Sequence, residues 1–216
     1  MSPASDAVDN PFFARVWTFL SRHETDAIKR LRRENLSGLS GRVLEVGAGT
    51  GTNFAYYPDT VTEVVAVEPE RRLVEFAQQA AAAAPVPVTV STETVEHYLA
   101  SGGERFDAVV CSLVLCSVDE PDDVLRQLLS LLCPGGELRY LEHVAGSGLR
   151  ARLQKAADAT LWPPLMGNCH THRHTEEAMA AAGFQVSGGR RELTMPSWVP
   201  LPVVDFTIGR AVKPLS

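Results

Sequence analysis

Residues 42–51, Arg42-Val-Leu-Glu-Val-Gly-Ala-Gly-Thr-Gly51, constrain the fold more than any other stretch of the chain. Val43, Leu44 and Val46 read as a short buried strand. The strand breaks into Gly47-Ala48-Gly49-Thr50-Gly51, where three glycines alternate with small residues. Glycine accepts positive φ and lets a ligand approach the backbone, so this run after a strand reads as a cradle. Glu45 lies inside the apolar strand, where a carboxylate needs a donor or a cation as its partner.

Strand and helix patterns alternate around that element. Residues 64–68, 86–90, 106–112 and 138–142 read as further strands, with helices over residues 71–84 and 122–132. Asn53 to Tyr57 opens a helix that Pro58 cuts short, and residues 91–98 form a loop leading into a short helix. Gly102-Gly103 marks a turn, and Cys133-Pro-Gly-Gly136 ends the leucine-rich helix. Upstream, Asn10-Pro11 starts an aromatic helix, and a charged helix spans about residues 25–35. Downstream, a less regular segment carries Trp162 and a Cys/His run. Thr175 then caps a helix ended by Gly183, and strands at about 185–193 and 206–212 close the chain. Five strand–helix alternations predict an α/β fold, a doubly wound sheet with helices on both faces.

A chain of 216 residues holds one domain of this kind. Residues 1–10 read as a flexible N-terminus and residues 11–37 as a helical lid. Residues 42–145 form the cofactor-binding core, and residues 146–216 form a substrate-side segment with the closing strands. The net charge of −6 argues against a nucleic-acid partner, which needs a basic stripe. Apolar runs fall short of the roughly 20 residues of a membrane span, so no stable membrane insertion is expected. No basic-then-apolar leader pattern opens the sequence. Cys111, Cys116, Cys133 and Cys169 show no CxxC spacing, which suits reduced thiols and a cytoplasmic location.

In an open α/β sheet, ligands bind outside the carboxyl ends of the strands. Glu68 lies about 20 residues past Gly47, where an acid accepts both ribose hydroxyls of a nucleotide. The pyrophosphate fingerprint is G-x-G-x-x-G, but here the third glycine comes one residue early. A negative Glu45 beside the loop suits a cation rather than a pyrophosphate. S-adenosylmethionine, with an ammonium, a carboxylate and a sulfonium but no phosphate, fits better than a nicotinamide dinucleotide. Backbone N–H groups at Gly49 to Gly51 are the expected holders of its carboxylate.

The ordered set Glu45-Val-Gly-Ala-Gly-Thr-Gly51, Val67-Glu-Pro69, Phe106-Asp-Ala-Val110 and Pro134-Gly-Gly136 resembles the successive motifs of class I S-adenosylmethionine-dependent methyltransferases. Asn53-Phe-Ala-Tyr-Tyr-Pro58, Ser112-Leu-Val-Leu-Cys-Ser-Val118 and Glu142-His-Val144 are similar to a narrower group, the thiol S-methyltransferases and their bacterial relatives. The resemblance runs from about residue 11 to the C-terminus. It implies a seven-stranded Rossmann-like sheet with a reversed last strand. Gly47, Ala48, Gly49, Thr50 and Gly51 would line the methionine moiety, with Glu45 and Asn53 beside them. Glu68 and Pro69 would hold the ribose, and Thr92 and Glu93 would flank the adenine. Cys111, Ser112 and Leu113 would floor the site. The chain departs from the family at Val95-Glu-His-Tyr98, where an acidic leucine-proline stretch is usual.

For methyl transfer the main demands are proximity, orientation and exclusion of water. A thiol acceptor ionises easily and needs no strong base, whereas an amine, phenol or carbon acceptor more often does. The motif positions hold no dedicated base. Glu142 and His143 are the best-placed acid/base pair, with a structural role favoured for His143. Phe12, Phe13, Trp17, His143 and Trp162 are the candidates for lining the acceptor pocket, with plain packing as the alternative for the aromatics. In the run Cys169-His-Thr-His-Arg-His174, alternating His170, His172 and His174 would project together from a strand with Cys169 adding sulfur. The matching family segment has a cysteine, an arginine at Arg173 and a threonine at Thr175, so the run reads as a family loop enriched in histidine, and no metal is expected. Cys111 and Cys116 read as packing residues rather than redox groups.

The resulting expectation is a methyltransferase that uses S-adenosylmethionine, releases S-adenosylhomocysteine and favours a small apolar thiol as acceptor. The alternatives are N- or O-methylation of a small metabolite or lipid headgroup, and a non-catalytic S-adenosylmethionine-binding regulatory module.

Overall fold

The computed structural model describes residues 9–100, 105–196 and 198–215; residues 1–8 and the Gly102-Gly103 turn lie outside the described residues. Seven strands form one sheet: β1 (Gly41–Val46), β2 (Val61–Val67), β3 (Val88–Ser91), β4 (Phe106–Ser112), β5 (Leu132–His143), β6 (Gln185–Leu193) and β7 (Asp205–Val212). Their order is β3-β2-β1-β4-β5-β7-β6. Strands β1 to β5 run parallel, and β7 is antiparallel to both β5 and β6, so the expected reversed last strand is present.

The central strands are buried on both faces, and their period-2 alternation sorts side chains into two cores. Leu44, Val46, Val65, Val67, Val109 and Cys111 point to one face. Val43, Val64, Ala66, Ala108 and Val110 point to the other. The chain winds outward from β1 in one direction through β2 and β3, then outward in the other through β4 and β5. The carboxyl ends of β1 and β4 therefore flank the topological switch point, where such sheets bind ligands.

Helices α1 (Pro11–Arg22) and α2 (Asp26–Leu36) precede the sheet. Asn10 caps α1 through its side chain, which accepts from Phe13 N. Helices α3 (Arg71–Ala82), α4 (Val95–Ala100) and α5 (Pro121–Leu131) are the crossovers. Then come α6 (Gly148–Asp158), α7 (Trp162–Leu165) and α8 (Thr175–Ala181).

Several elements differ from the sequence expectation. The helix at residues 53–57 is a short 3-10 turn, Phe54–Tyr56. Pairing of β3 begins at Val88 rather than Val86, because Pro85 and Pro87 have no N–H for the ladder. The Cys133–Gly136 stretch is not a separate turn but a bulge inside β5: Phe106 pairs with Leu132, and Ala108 with Glu137. The segment before Trp162 is helical. It escapes a periodicity search because α6 buries Gln154 instead of an apolar stripe. Gln154 accepts from Gly146 N at 2.7 Å and donates to Val144 O and Pro202 O at 3.0 Å each. Thr175 is the first residue of α8 and not its cap; His174 takes the cap position.

Candidate active site

The glycine loop leaves β1 in a left-handed conformation at Gly47, Gly49 and Gly51, with φ of 63°, 59° and 75°. Space forbids side chains as well as φ does. A Cβ at Gly47 would meet Val114 Cγ2 at 2.4 Å, and one at Gly49 would meet Trp17 Nε1 at 2.6 Å. The loop is thus pressed between the β4–α5 connection and the indole of α1.

Glu68, just past β2, is 6% exposed and ties that loop down. Its Oε2 accepts from Gly49 N at 2.7 Å and its Oε1 from Glu70 N at 2.9 Å. Burial pushes its carboxyl up to about 7, opposed by those two amide hydrogen bonds. An ionised carboxylate has about four acceptor positions, so Glu68 keeps capacity for ribose hydroxyls. Two of the three amides expected to hold a ligand carboxylate are already committed: Gly49 N–H to Glu68, and Gly51 N–H to Ala48 O at 2.9 Å. A ligand carboxylate can take those two amides only by displacing these bonds. Thr50 Oγ1, in the same loop, is buried with no hydrogen-bond partner among the described residues, the kind of polar atom that a bound group satisfies. Cradle, acid and orphan hydroxyl fit the methionine and ribose parts of S-adenosylmethionine.

Glu45 does not stand as a bare charge for a cation. Tyr57 donates to its Oε2 at 2.6 Å and Asn53 Nδ2 to its Oε1 at 3.0 Å. Burial lifts its carboxyl to about 7, against those two hydrogen bonds and the nearby Arg32 charge. Asn53 also donates to Ser112 Oγ at 3.1 Å and accepts from Arg32 Nη1 at 2.9 Å. Arg32, 2% exposed on α2, forks onto Glu24 at 2.6 to 3.1 Å. A buried polar chain therefore runs from Glu24 through Arg32 and Asn53 to Glu45 and Ser112. Sequence reading missed Glu24 and Arg32, since a charge in the link before α2 and a charge on an amphipathic helix both read as solvent-facing.

The other sequence candidates fall into place unevenly. Pro69 directly follows Glu68 beyond the end of β2. Beyond β3, Thr92 is exposed and Glu93 partly so, with Glu93 N donating to Ser91 Oγ at 3.3 Å. Cys111 packs wholly in the core, and its thiol is pushed up by burial and by Glu142 and Glu45. Leu113 takes a left-handed φ of 63° and donates its N–H to Leu141 O.

Glu142, fully buried at the end of β5, accepts from the amides of Val114, Leu115 and Cys116 at 3.1, 3.0 and 3.3 Å. It shapes the loop after β4 and is not free to act as a base. His143 packs edge-to-face with Phe206, with ring centroids 4.6 Å apart. Its Nδ1 lies 3.7 Å from Cys116 Sγ and 3.6 Å from Cys169 Sγ. The hydrogen bond from Cys169, then burial, pushes the Cys116 thiol well above its usual value. The histidine run converges only in part: the rings of His172 and His174 meet edge-on at 5.5 Å, and His170 is turned away. His170 Nε2 contacts Asn168 Oδ1 at 3.3 Å, while His174 turns to Glu177. The run forms a loop, not the strand that would have aligned those rings.

Helix α1 bridges the glycine loop and the α7–α8 connection. Phe13 stacks with Trp17 at 5.9 Å and fills the space over Gly167. Phe12 points outward, 53% exposed. Trp162 is half-buried in α7, its indole N–H without a partner among the described residues.

A methyltransferase-domain family model matches residues 16–187. Mouse thiol S-methyltransferase TMT1B is 33% identical over 217 residues, covering 94% of this chain and 85% of that protein. Among solved structures, N-methyltransferase NodS from Bradyrhizobium japonicum WM9, in complex with S-adenosyl-l-homocysteine, superposes with a TM-score of 0.63 at 17% identity. That match covers 95% of this chain and 89% of the other. The [4+2]-cyclase SpnF superposes with a TM-score of 0.64 at 18% identity, over 99% of this chain and all of that one. Fold likeness at that distance leaves the reaction open, but the sequence match does not: this chain belongs to the methyltransferase-domain family and is an S-adenosylmethionine-dependent methyltransferase.

Proposed function

We propose that the enzyme methylates a small apolar thiol in the reducing cytoplasm. The observation that carries this reading is the nearly full-length match to a thiol S-methyltransferase. The site adds a chemical reason. Glu142 is taken up by three backbone amides, leaving no carboxylate base at the end of β5. An acceptor that ionises readily, such as a thiol, suits such a site better than an amine or phenol.

S-adenosylmethionine supplies the electrophilic methyl group when bound. Glu68 holds the ribose hydroxyls, Thr50 offers its hydroxyl to the methionine end, and Asn53 fixes the Glu45 side of the loop. Thr92 and Glu93 flank the adenine. Trp17 closes α1 over the glycines and excludes water, so α1 and α2 act as the lid. Phe13 and Trp162, far apart in the sequence, wall the acceptor space.

Incubation with methyl-labelled cofactor and a panel of thiols, amines and phenols tests the proposal. Labelled thioethers are the expected product; transfer to amines or phenols but not thiols would sink it.

A further inference from the structure

Cys116 in the β4–α5 connection, His143 at the end of β5 and Cys169 in the α7–α8 connection are far apart in sequence, yet their side chains converge in one buried cluster. The two sulfurs are 3.7 Å apart, and each lies 3.6 to 3.7 Å from His143 Nδ1. These are the edges of a metal tetrahedron. With metal–sulfur bonds of about 2.3 Å and metal–nitrogen bonds of about 2.0 Å, tetrahedral angles put sulfur and nitrogen ligands about 3.5 to 3.8 Å apart.

We propose that Cys116, Cys169 and His143 bind one thiophilic cation, with zinc as the reference ion, and leave its fourth position to the acceptor. Two thiolates and an imidazole select zinc over hard cations such as magnesium. The ligands are held from outside the cluster. Glu142 grips the amide of Cys116, and His170 N donates to Cys116 O at 2.7 Å, joining the loops that carry the two cysteines. Arg173 braces the same loop through Leu115 O and Val118 O at 2.9 and 2.7 Å. Three protein ligands rather than four is the pattern of a site that takes an exogenous ligand.

Cys116 is two residues along the chain from Val114, whose methyl packs on Gly47, so one short loop connects the cluster to the cofactor loop. Resting on the thiol reading above, the fourth ligand is the acceptor's sulfur. On coordination, the thiol releases its proton to solvent, its sulfur lone pair forms the bond to the cation, and a bound water leaves. The cation keeps its oxidation state, and the acceptor is held as a thiolate near neutral pH.

The test uses full-length protein purified without a histidine tag, reduced with a phosphine, loaded with zinc or cobalt(II) and gel-filtered. One metal per chain is expected, with a sulfur-to-cobalt charge-transfer band. The metal should shield Cys116 and Cys169, but not Cys133, from alkylation read by mass spectrometry. Cys169→Ala should lose the metal, while combined His170→Gln, His172→Gln and His174→Gln should keep it. No retained metal in the reduced wild type, or loss only in the histidine variant, overturns the site. The shielding measurement stands even if Cys169→Ala misfolds. An alkyl thiol should shift the cobalt spectrum, and removing metal should raise KM for thiols at least tenfold. Thiol methylation unchanged in metal-free protein overturns the metal's role while leaving the thiol reading intact. A stoichiometric metal with no thiol turnover does the reverse.

Discussion

Glu68 and Gly49 share a 2.7 Å hydrogen bond, so the acid after β2 and the glycine loop after β1 form a single structural unit. Glu68→Ala removes the proposed ribose acceptor and also releases the loop. Cofactor affinity measured by calorimetry should fall by roughly 1–3 kcal/mol, the scale of lost charge-assisted hydrogen bonds. Unchanged affinity would place the ribose elsewhere.

Gly49 and Trp17 should behave as a coupled pair. Gly49→Ala forces a left-handed alanine, at about 1–2 kcal/mol, and drives its Cβ toward the indole. In the double variant with Trp17→Ala the steric part disappears. Thermal unfolding of both single variants and the double should show less destabilisation than the sum. Strict additivity would mean that α1 does not press on the loop.

Stability should depend on pH through Glu45 and Glu68, both lifted from 4.5 to about 7 by burial. The folded protein then binds protons more tightly than the unfolded chain. This contribution is fully present below about pH 4.5 and is lost as pH rises through 7. At about 1.4 kcal/mol per unit, each group accounts for roughly 3 kcal/mol across that window. The stability of wild type minus that of Glu45→Gln, from urea unfolding, should decline between pH 5 and about 7.5; a rise would refute the sign.

Arg32→Ala should destabilise the fold by roughly 3–5 kcal/mol, because it strands a nearly buried Glu24 and unpairs Asn53. Arg32→Lys should recover little of this, since one ammonium cannot reproduce the fork to Glu24 together with the contact to Asn53. Urea midpoints of the two variants provide the comparison.

Gln154→Leu should cost about 2–3 kcal/mol despite its apolar, similarly sized side chain. It leaves Gly146 N–H and two carbonyls unpaired in a buried seat. A neutral or stabilising result would mean that α6 docks by other contacts.

The parts of the protein legible from sequence are those with local signals. The bounds of β4 coincide with the apolar run at residues 106–112, and the three glycines mark the loop where φ turns positive. Glu68 announces itself as an acid closing an apolar strand. What stayed hidden depends on pairings between distant positions. Nothing near Cys116 in sequence reveals that residues 27 and 53 positions away will meet its sulfur. Arg32 looks like any helix-surface charge until Asn53, 21 residues on, is seen to face it. Helix α6 was invisible because a glutamine, not an apolar stripe, anchors it.

The polar chain from Glu24 to Ser112 bears on how this protein can change over time. Arg32, Asn53, Glu45 and Tyr57 each complete the hydrogen bonding of a neighbour in a buried setting. Replacing one by an apolar residue strands its partner, whereas replacing all of them with a well-packed apolar set need not. These positions therefore constitute one unit of substitution, with single steps away from it blocked. The seat of the glycine loop is in this way fixed by the improbability of simultaneous change, as well as by the strength of its bonds.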